Sequence, residues 1–529
     1  MTAASPAPSP APSGRQHAPV ADAPSGRQHA PVADAPPREV DTIVVGAGIA
    51  GIAAAARLRR SGVTDVLVVE RADDVGGTWR DNVYPGVACD IPAHLYSYSF
   101  RPNPGWSRRF APGSEIQEYL RSVVRDEGLT PQLLLGTDVI DMAWDDDAER
   151  WRLSTSRGGL VCRVLILAAG RLSEPVIPQL PGRESFVGPV MHSSAWMPGS
   201  DFAGARVGVV GTGASAVQLV PRLAEQGAEV TVFQRSAPWV VPRADAPIPS
   251  SARAAFASDP AAMQAHRESL FREFEAGHAA RVADGPERES LRQLALSHLA
   301  AQVSDEALRA RLTPDYEIGC KRVLLSDDWY PAIASGAVAL EPSAIVALEG
   351  GRAVAASGAR HEVDALVFAT GFAATRPPFA DRVRGRGGRL LADHWAEGMT
   401  AYASILMAGF PNLMVLDGPN AALGHNSAFA MIEAQAELAA TLVTRMRAEG
   451  ADVIEASPLA EQTWTAELDA ASRGTVWLSG CRSWYVDDRS NRLTLLWPGN
   501  ATAFRAALGA VGEQPLPLPS PVPASALQS

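Results

Sequence analysis

The sequence predicts an α/β fold of two units, each a parallel sheet flanked by helices, with a helical insertion in the second. Two glycine fingerprints and one long helix-rich segment predict it. Each fingerprint follows an apolar strand and opens a helix, and a second apolar strand then closes a β-α-β unit. That layout is the Rossmann-like arrangement. Finding it twice in 529 residues predicts two such domains in one chain.

The chain ends are of different composition. "APSGRQHAPVAD" occurs at 11–22 and again, unchanged, at 23–34, and the segment 1–38 reads as a disordered Ala/Pro-rich tail with a tandem repeat. It lacks the apolar core of a secretory signal. Residues 511–529 read as a second, Pro-rich tail. With 47 basic and 58 acidic residues the formal charge is −11, which argues against nucleic acid or an anionic membrane as partner. No apolar run approaches membrane-spanning length. Cys89, Cys162, Cys320 and Cys481 form no C-x-x-C and are widely spaced. They read as reduced thiols of a cytoplasmic protein, with neither a metal site nor a disulfide framework. Oligomeric state is not legible.

The first fingerprint is Gly46, Gly48 and Gly51, in "DTIVVGAGIAGIAAAARLRRSGVTDVLVVERA". The first glycine permits a tight turn, the second lets backbone approach a pyrophosphate, and the third lets helix and strand pack closely. The helix N-terminus supplies donors for the phosphates. The second strand ends in Glu70, where an acid holds a ribose hydroxyl.

The second fingerprint, "VGVVGTGASAVQLVPRLAEQGAEVTVFQRS", carries Gly211, Gly213 and Ala216. Thr212, Ala214, Ser215 and Gln218 complete the turn and the start of the helix, where backbone donors face a pyrophosphate. The ribose position holds no acid; Gln234, Arg235 and Ser236 stand there. A carboxylate would repel a 2′-phosphate, whereas a guanidinium grips it with a forked pair of donors, so this site reads as NADP(H). The alternative for Arg235 is a solvated charge at a strand end. The first site, with Glu70, suits the adenosine half of FAD, and a flavin reduced by NADPH is the economical combination.

Between and beyond these units lie further patterns: "GGTWRDNVYPGVACDIPAHLYSYSF", "LAAGRLSEPVIPQLPG", "IGCKRVLLSDDWYP", "DALVFATGF" and "AGFPNLMVLDGPN". Just before the second fingerprint, Phe186, Gly188, His192 and Trp196 make F-x-G-x-x-x-H-x-x-x-W. On these residues the chain resembles the class B flavoprotein monooxygenases, of the Baeyer–Villiger type, from about residue 39 to 510. One departure stands out. The family fingerprint usually ends in Pro or Asp directly after Trp; here Met197 stands there and Pro198 follows it.

The resemblance implies an NADPH- and O2-dependent enzyme that oxidises a hydrophobic, possibly cyclic, ketone to an ester or lactone through a C4a-peroxyflavin. It places the catalytic arginine at Arg322 and its acidic partner at Asp90. A guanidinium stays cationic when desolvated, and a carboxylate beside it limits the cost of burial. It further implies FAD contacts at Thr78, Trp79, Tyr96 and Val139, and a role for Lys321 near the NADP(H) phosphate or ribose. Trp477 either touches the nicotinamide nucleotide or is a core tryptophan. His192 is read as a tie between domains, and His425 either lines the flavin pocket or is satisfied in a turn.

The expected domains are an FAD-binding part at 39–175 and 361–510 and an NADP-binding part at 176–360. The segment "DALVFATGF" is taken to return the chain to the first sheet. Residues 250–312 have helical composition and form the insertion. Competing readings are an N- or S-oxygenating flavin monooxygenase, against which Trp196, Asp90 and Arg322 speak, a disulfide reductase, which would want a redox cysteine pair beside the flavin, and a non-catalytic nucleotide sensor.

Overall fold

The computed structural model describes residues 37–282 and 284–515. The tandem-repeat tail and the end of the Pro-rich tail lie outside them. The last helix, Ala501–Gly512, carries regular structure slightly past the expected boundary at 510.

The first sheet centres on Arg38–Val45, which pairs in parallel with Val66–Val69 on one side and Gly158–Leu167 on the other. All four residues of Val66–Val69 are buried, the pattern of a parallel strand covered on both faces. An antiparallel meander, Val139–Asp145 to Arg150–Thr155 to Gly158–Leu167, extends this sheet. Leu413–Val415 and Val383–Arg384 add to it from the far end of the chain. Helices Ile49–Arg60, Ala428–Glu449 and Ala501–Gly512 pack together on one face. The first of these can lie close to the sheet because it is almost all alanine and small residues on its buried side.

The second sheet has the order Val338–Glu341, Glu229–Phe233, Arg206–Val210, Ala365–Phe368, Val190–His192, all parallel. This corrects one expectation. The segment Asp364–Phe372 does not return to the first sheet; its strand sits between Arg206–Val210 and Val190–His192 in the second. Period and composition mark a buried parallel strand but do not say which of two sheets accepts it. Helices Ser250–Ser258, Pro260–Ala276, Ala279–Val282, Pro286–Gln302 and Glu306–Leu312 fill the insertion. Arg267, on the second of these, is buried and donates to the carbonyls of His94 and Ser97, fastening the insertion to the first domain. No helix among the described residues is long and apolar enough to cross a membrane.

A second correction concerns the cysteines. Cys320 and Cys481 are joined as a disulfide with Cα atoms 6.5 Å apart, while Cys89 and Cys162 are free and buried. The two are 161 residues apart, so spacing held no sign of the pair. The unfolded, unreduced chain is therefore expected to show two reactive thiols in a colorimetric titration and four after reduction. Four before reduction would contradict the bond.

Candidate active site

Gly46, Gly48, Glu70, Thr78, Trp79, Tyr96 and Val139 line one cavity of about 280 Å³. Gly46 adopts φ +103, and a Cβ there would lie 2.4 Å from the carbonyl oxygen of Ala168, so the turn tolerates only glycine. Gly51 stays behind the wall: a Cβ on it would fall 1.8 Å from the Gly46 oxygen, the close helix–strand approach expected of a third glycine. Gly77 faces Gly48 across the cavity mouth, and a Cβ on Gly77 would lie 3.1 Å from the Gly48 Cα. Glu70 is buried and accepts from the Ala47 and Ala72 amides at 2.8 and 3.0 Å, with Arg80 at 3.1 Å. The indole of Trp79 donates to the Tyr96 hydroxyl at 3.2 Å, which locks the two rings edge to face.

The second turn is open. Gly211 repeats the geometry of Gly46, with φ +111 and a Cβ that would meet the Ala369 oxygen at 2.6 Å, whereas nothing lies within 4 Å of a Cβ on Gly213. Thr212, Ala214 and Ser215 stand beside it, and Ala216 is on the buried face of the helix Ala214–Glu225. The Thr212 hydroxyl donates to the Ser236 carbonyl at 2.8 Å, and Lys321 donates to the Ser236 hydroxyl at 3.2 Å. Arg235 is exposed at the end of Glu229–Phe233 and makes no ion pair within 4.0 Å among the described residues. Burial, then the charge of Arg235, pushes the Lys321 pKa below the ordinary lysine value. Two cations, Lys321 and Arg235, thus lie near each other with no ion pair of their own among the described residues, a cradle suited to a phosphate. Gln218 is otherwise engaged: it donates to the Ala88 carbonyl at 2.9 Å and accepts from Tyr84 at 2.9 Å, stitching the second domain to the first.

Arg322 and Asp90, 232 positions apart, meet as a fork. Nε lies 2.6 Å from Oδ2 and Nη2 lies 2.7 Å from Oδ1. Each side chain keeps 27 % of its surface exposed. Val240–Val241 pairs in parallel with Leu324–Leu325 and fixes the strand that follows Arg322. The Cys89 amide donates to the Ala111 carbonyl at 3.0 Å and holds the loop before Asp90. Burial pushes the Asp90 carboxyl up, but the charge and hydrogen bonds of Arg322 outweigh it and hold the group below the usual carboxylate range. Burial opposes the charge on Arg322, but Asp90 overcomes it and drives that pKa up. The fork is therefore ionised at every physiological pH.

A model of the pyridine nucleotide-disulphide oxidoreductase family matches residues 43–253. A Baeyer–Villiger monooxygenase of Streptomyces coelicolor is 44 % identical over 88 % of this chain and 90 % of its own. The chain belongs to the Baeyer–Villiger monooxygenase family. An oxidised steroid monooxygenase bound to NADP is 31 % identical with a TM-score of 0.79, covering 90 % of this chain and 98 % of that one. A cyclohexanone monooxygenase from Rhodococcus sp. Phi1 bound to NADP+ is 28 % identical with a TM-score of 0.81 and the same coverage. As a Baeyer–Villiger monooxygenase the protein is an FAD-dependent enzyme that consumes NADPH and O2. The glycine-walled cavity and the open cationic turn fit the two nucleotides.

Other sequence-identified residues of this monooxygenase fall as follows. His192 ends the strand that pairs with Phe368, and its ring packs on Phe372, on the linker between sheets. Trp196 is buried against Phe202. Trp477 is buried in a cluster with Cys320, Ala422 and Tyr485, with its indole N–H unpartnered. His425 is buried with both ring nitrogens unpartnered and lies 3.6 Å from Glu275. Sequence reasoning passed over Asp417 and Arg171, which form an ion pair on the wall of the first cavity. Both lie inside quoted motifs, but an acid in "VLDGP" carries no spacing signal of its own. It also passed over Arg243, which donates to the Cys89 carbonyl at 3.4 Å and adds positive charge beside Asp90.

Two outcomes are expected at the cationic turn. Arg235→Ala lowers the NADPH-over-NADH preference in kcat/KM by about tenfold or more, the size of a lost charge-assisted hydrogen bond; an unchanged preference removes Arg235 from the phosphate. The Lys321 cation is lost as pH rises through its lowered pKa, so KM for NADPH climbs on the alkaline side. Lys321→Arg, always charged, abolishes that limb, and persistence of the limb assigns it elsewhere.

Proposed function

We propose that the Arg322–Asp90 fork is the oxygenation centre, and that the substrate is a hydrophobic ketone converted with NADPH, a proton and O2 to an ester or lactone, NADP+ and water. The fork is the observation that carries this reading. FAD held in the Gly46–Glu70 cavity would supply hydride acceptance from NADPH and oxygen transfer to the carbonyl. Arg322 supplies a fixed cation for negative charge that develops on the reacting oxygens. It needs no proton exchange to do so, because a guanidinium does not titrate in this range. Asp90 aims the guanidinium and offsets its burial while the site is empty of substrate charge.

In this reading Gly46, Gly48, Gly51, Glu70, Thr78, Trp79, Tyr96 and Val139 hold FAD. Gly211, Thr212, Gly213, Ala214, Ser215, Ala216, Arg235, Ser236 and Lys321 hold NADPH, and Gln218 and Trp477 support that site from behind. The cyclohexanone and steroid monooxygenase likenesses support a ketone of mainly apolar surface. We place the enzyme in the cytoplasm, where NADPH is regenerated. The Cys320–Cys481 bond is at odds with a reducing compartment, and the thiol count above bears on that.

Arg322→Ala is expected to bind FAD and to oxidise NADPH, yet to form ester at least about 10²-fold more slowly. Nearly all NADPH consumed would then appear as hydrogen peroxide. Ester formed by the variant at the native rate would defeat the assignment. Oxygenated amines or sulfides, with no ester from any ketone offered to the native enzyme, would replace the ketone reading.

A further inference from the structure

Arg281 is a second guanidinium beside the fork. It lies on the short helix Ala279–Val282 of the insertion. A Cβ placed on Gly319, in the loop that carries Arg322, would sit 3.6 Å from its Cγ. A Cβ placed on Gly424 would sit 3.4 Å from its Nε and 3.8 Å from the Trp477 ring. Gly424 belongs to the loop that leads into Ala428–Glu449, and Ala428 and Ile432 of that helix line the flavin cavity. Arg281 therefore packs between the arginine loop and the loop that leads into Ala428–Glu449.

Its charge is uncompensated. It hydrogen-bonds the carbonyl of Gly277 on its own side of the site, and no carboxylate oxygen of the described residues lies within 4.0 Å of it. Asp90 is spent on Arg322. Glu275, on the preceding helix, accepts from Asn426 at 2.7 Å and from the Thr502 amide at 2.8 Å and faces His425. Burial lowers the Arg281 pKa to about 10; Tyr485 opposes the shift and Arg322 adds to it, so the group remains a cation at neutral pH. A second observation points at the same place. Tyr485 is 2 % exposed, the charges of Arg322 and Arg281 both act on it, and Arg322 also reaches its hydroxyl as a hydrogen-bond donor. A partly buried cation without a counter-ion is costly, and the cost is recovered when a ligand brings the anion.

We propose that Arg281 binds a carboxylate on the ketone substrate, so that the enzyme selects keto acids. This rests on the ketone reading above. Lys321 and Arg235 already supply cations for the phosphate of NADPH at Ser236, so the anion left for Arg281 is the substrate's. A guanidinium matches a carboxylate with two parallel hydrogen bonds.

The test compares 4-oxocyclohexanecarboxylate with 4-methylcyclohexanone on the holoenzyme, by ester formed and NADPH consumed. The keto acid is expected to be favoured in kcat/KM by about tenfold or more. Arg281→Gln should collapse that ratio through KM, and Arg281→Lys should restore part of it. Binding of the keto acid to the oxidised, NADP+-loaded enzyme, followed by flavin absorbance, should weaken in step. In the native enzyme, which needs no variant to fold, cyclohexanecarboxylate should inhibit competitively against the ketone. Ester from both ketones with no preference for the acid, or no inhibition by cyclohexanecarboxylate, overturns the role of Arg281 and leaves the ketone reading standing. An equal loss of both activities in Arg281→Gln, with rising hydrogen peroxide, overturns it in favour of a role in oxygenation. Ester from neither ketone removes the ketone reading and this inference with it.

Discussion

The fork between Arg322 and Asp90 is the contact on which the site depends. It joins a loop of the first domain to a loop of the second, so the pair proposed as the oxygenation centre is also a tie between the two nucleotide units. Gln218, Tyr84 and the Ala88 carbonyl make a parallel tie close by. A cation held by a single carboxylate from the other domain is sensitive to how the domains meet.

The nucleotide sites differ in the same physical terms. Glu70 is buried, receives two amide hydrogen bonds and lines an enclosed cavity. Arg235 is exposed at an open turn, with Lys321 close enough to feel its charge. An enclosed cavity suits a cofactor that stays through many turnovers. An open turn suits a nucleotide that comes and goes as NADPH and NADP+. The insertion adds a third contribution, because its helices bring Arg267 to the first domain and Arg281 to the neighbourhood of the fork.

Several assignments were legible in residues alone because local backbone chemistry demands them. Gly46 and Gly211 must be glycine since a Cβ would strike a neighbouring strand's carbonyl. The helical insertion follows from composition over a long stretch, where local propensity is most reliable. The strand Ala365–Phe368 was assigned to the wrong sheet because an all-apolar run fits either one, and only the register with Val207–Val210 and Val190–His192 decides. The disulfide was missed because Cys320 and Cys481 are distant in sequence and obey no motif.

By itself the sequence determined the two β-α-β units, the contrast of an acid, Glu70, with a cation, Arg235, just past their second strands, and the family to which the chain belongs. These depend on residues close in the chain, where spacing is geometry. Only the tertiary structure decided which charges are paired and which are not. Asp90 compensates Arg322 from 232 positions away, while Arg281, with no motif around it, lies close enough to feel the charge of Arg322 and has no carboxylate within 4.0 Å among the described residues. Charge compensation is a through-space property, set by which loops packing brings within a few ångströms, and a linear pattern carries no record of it.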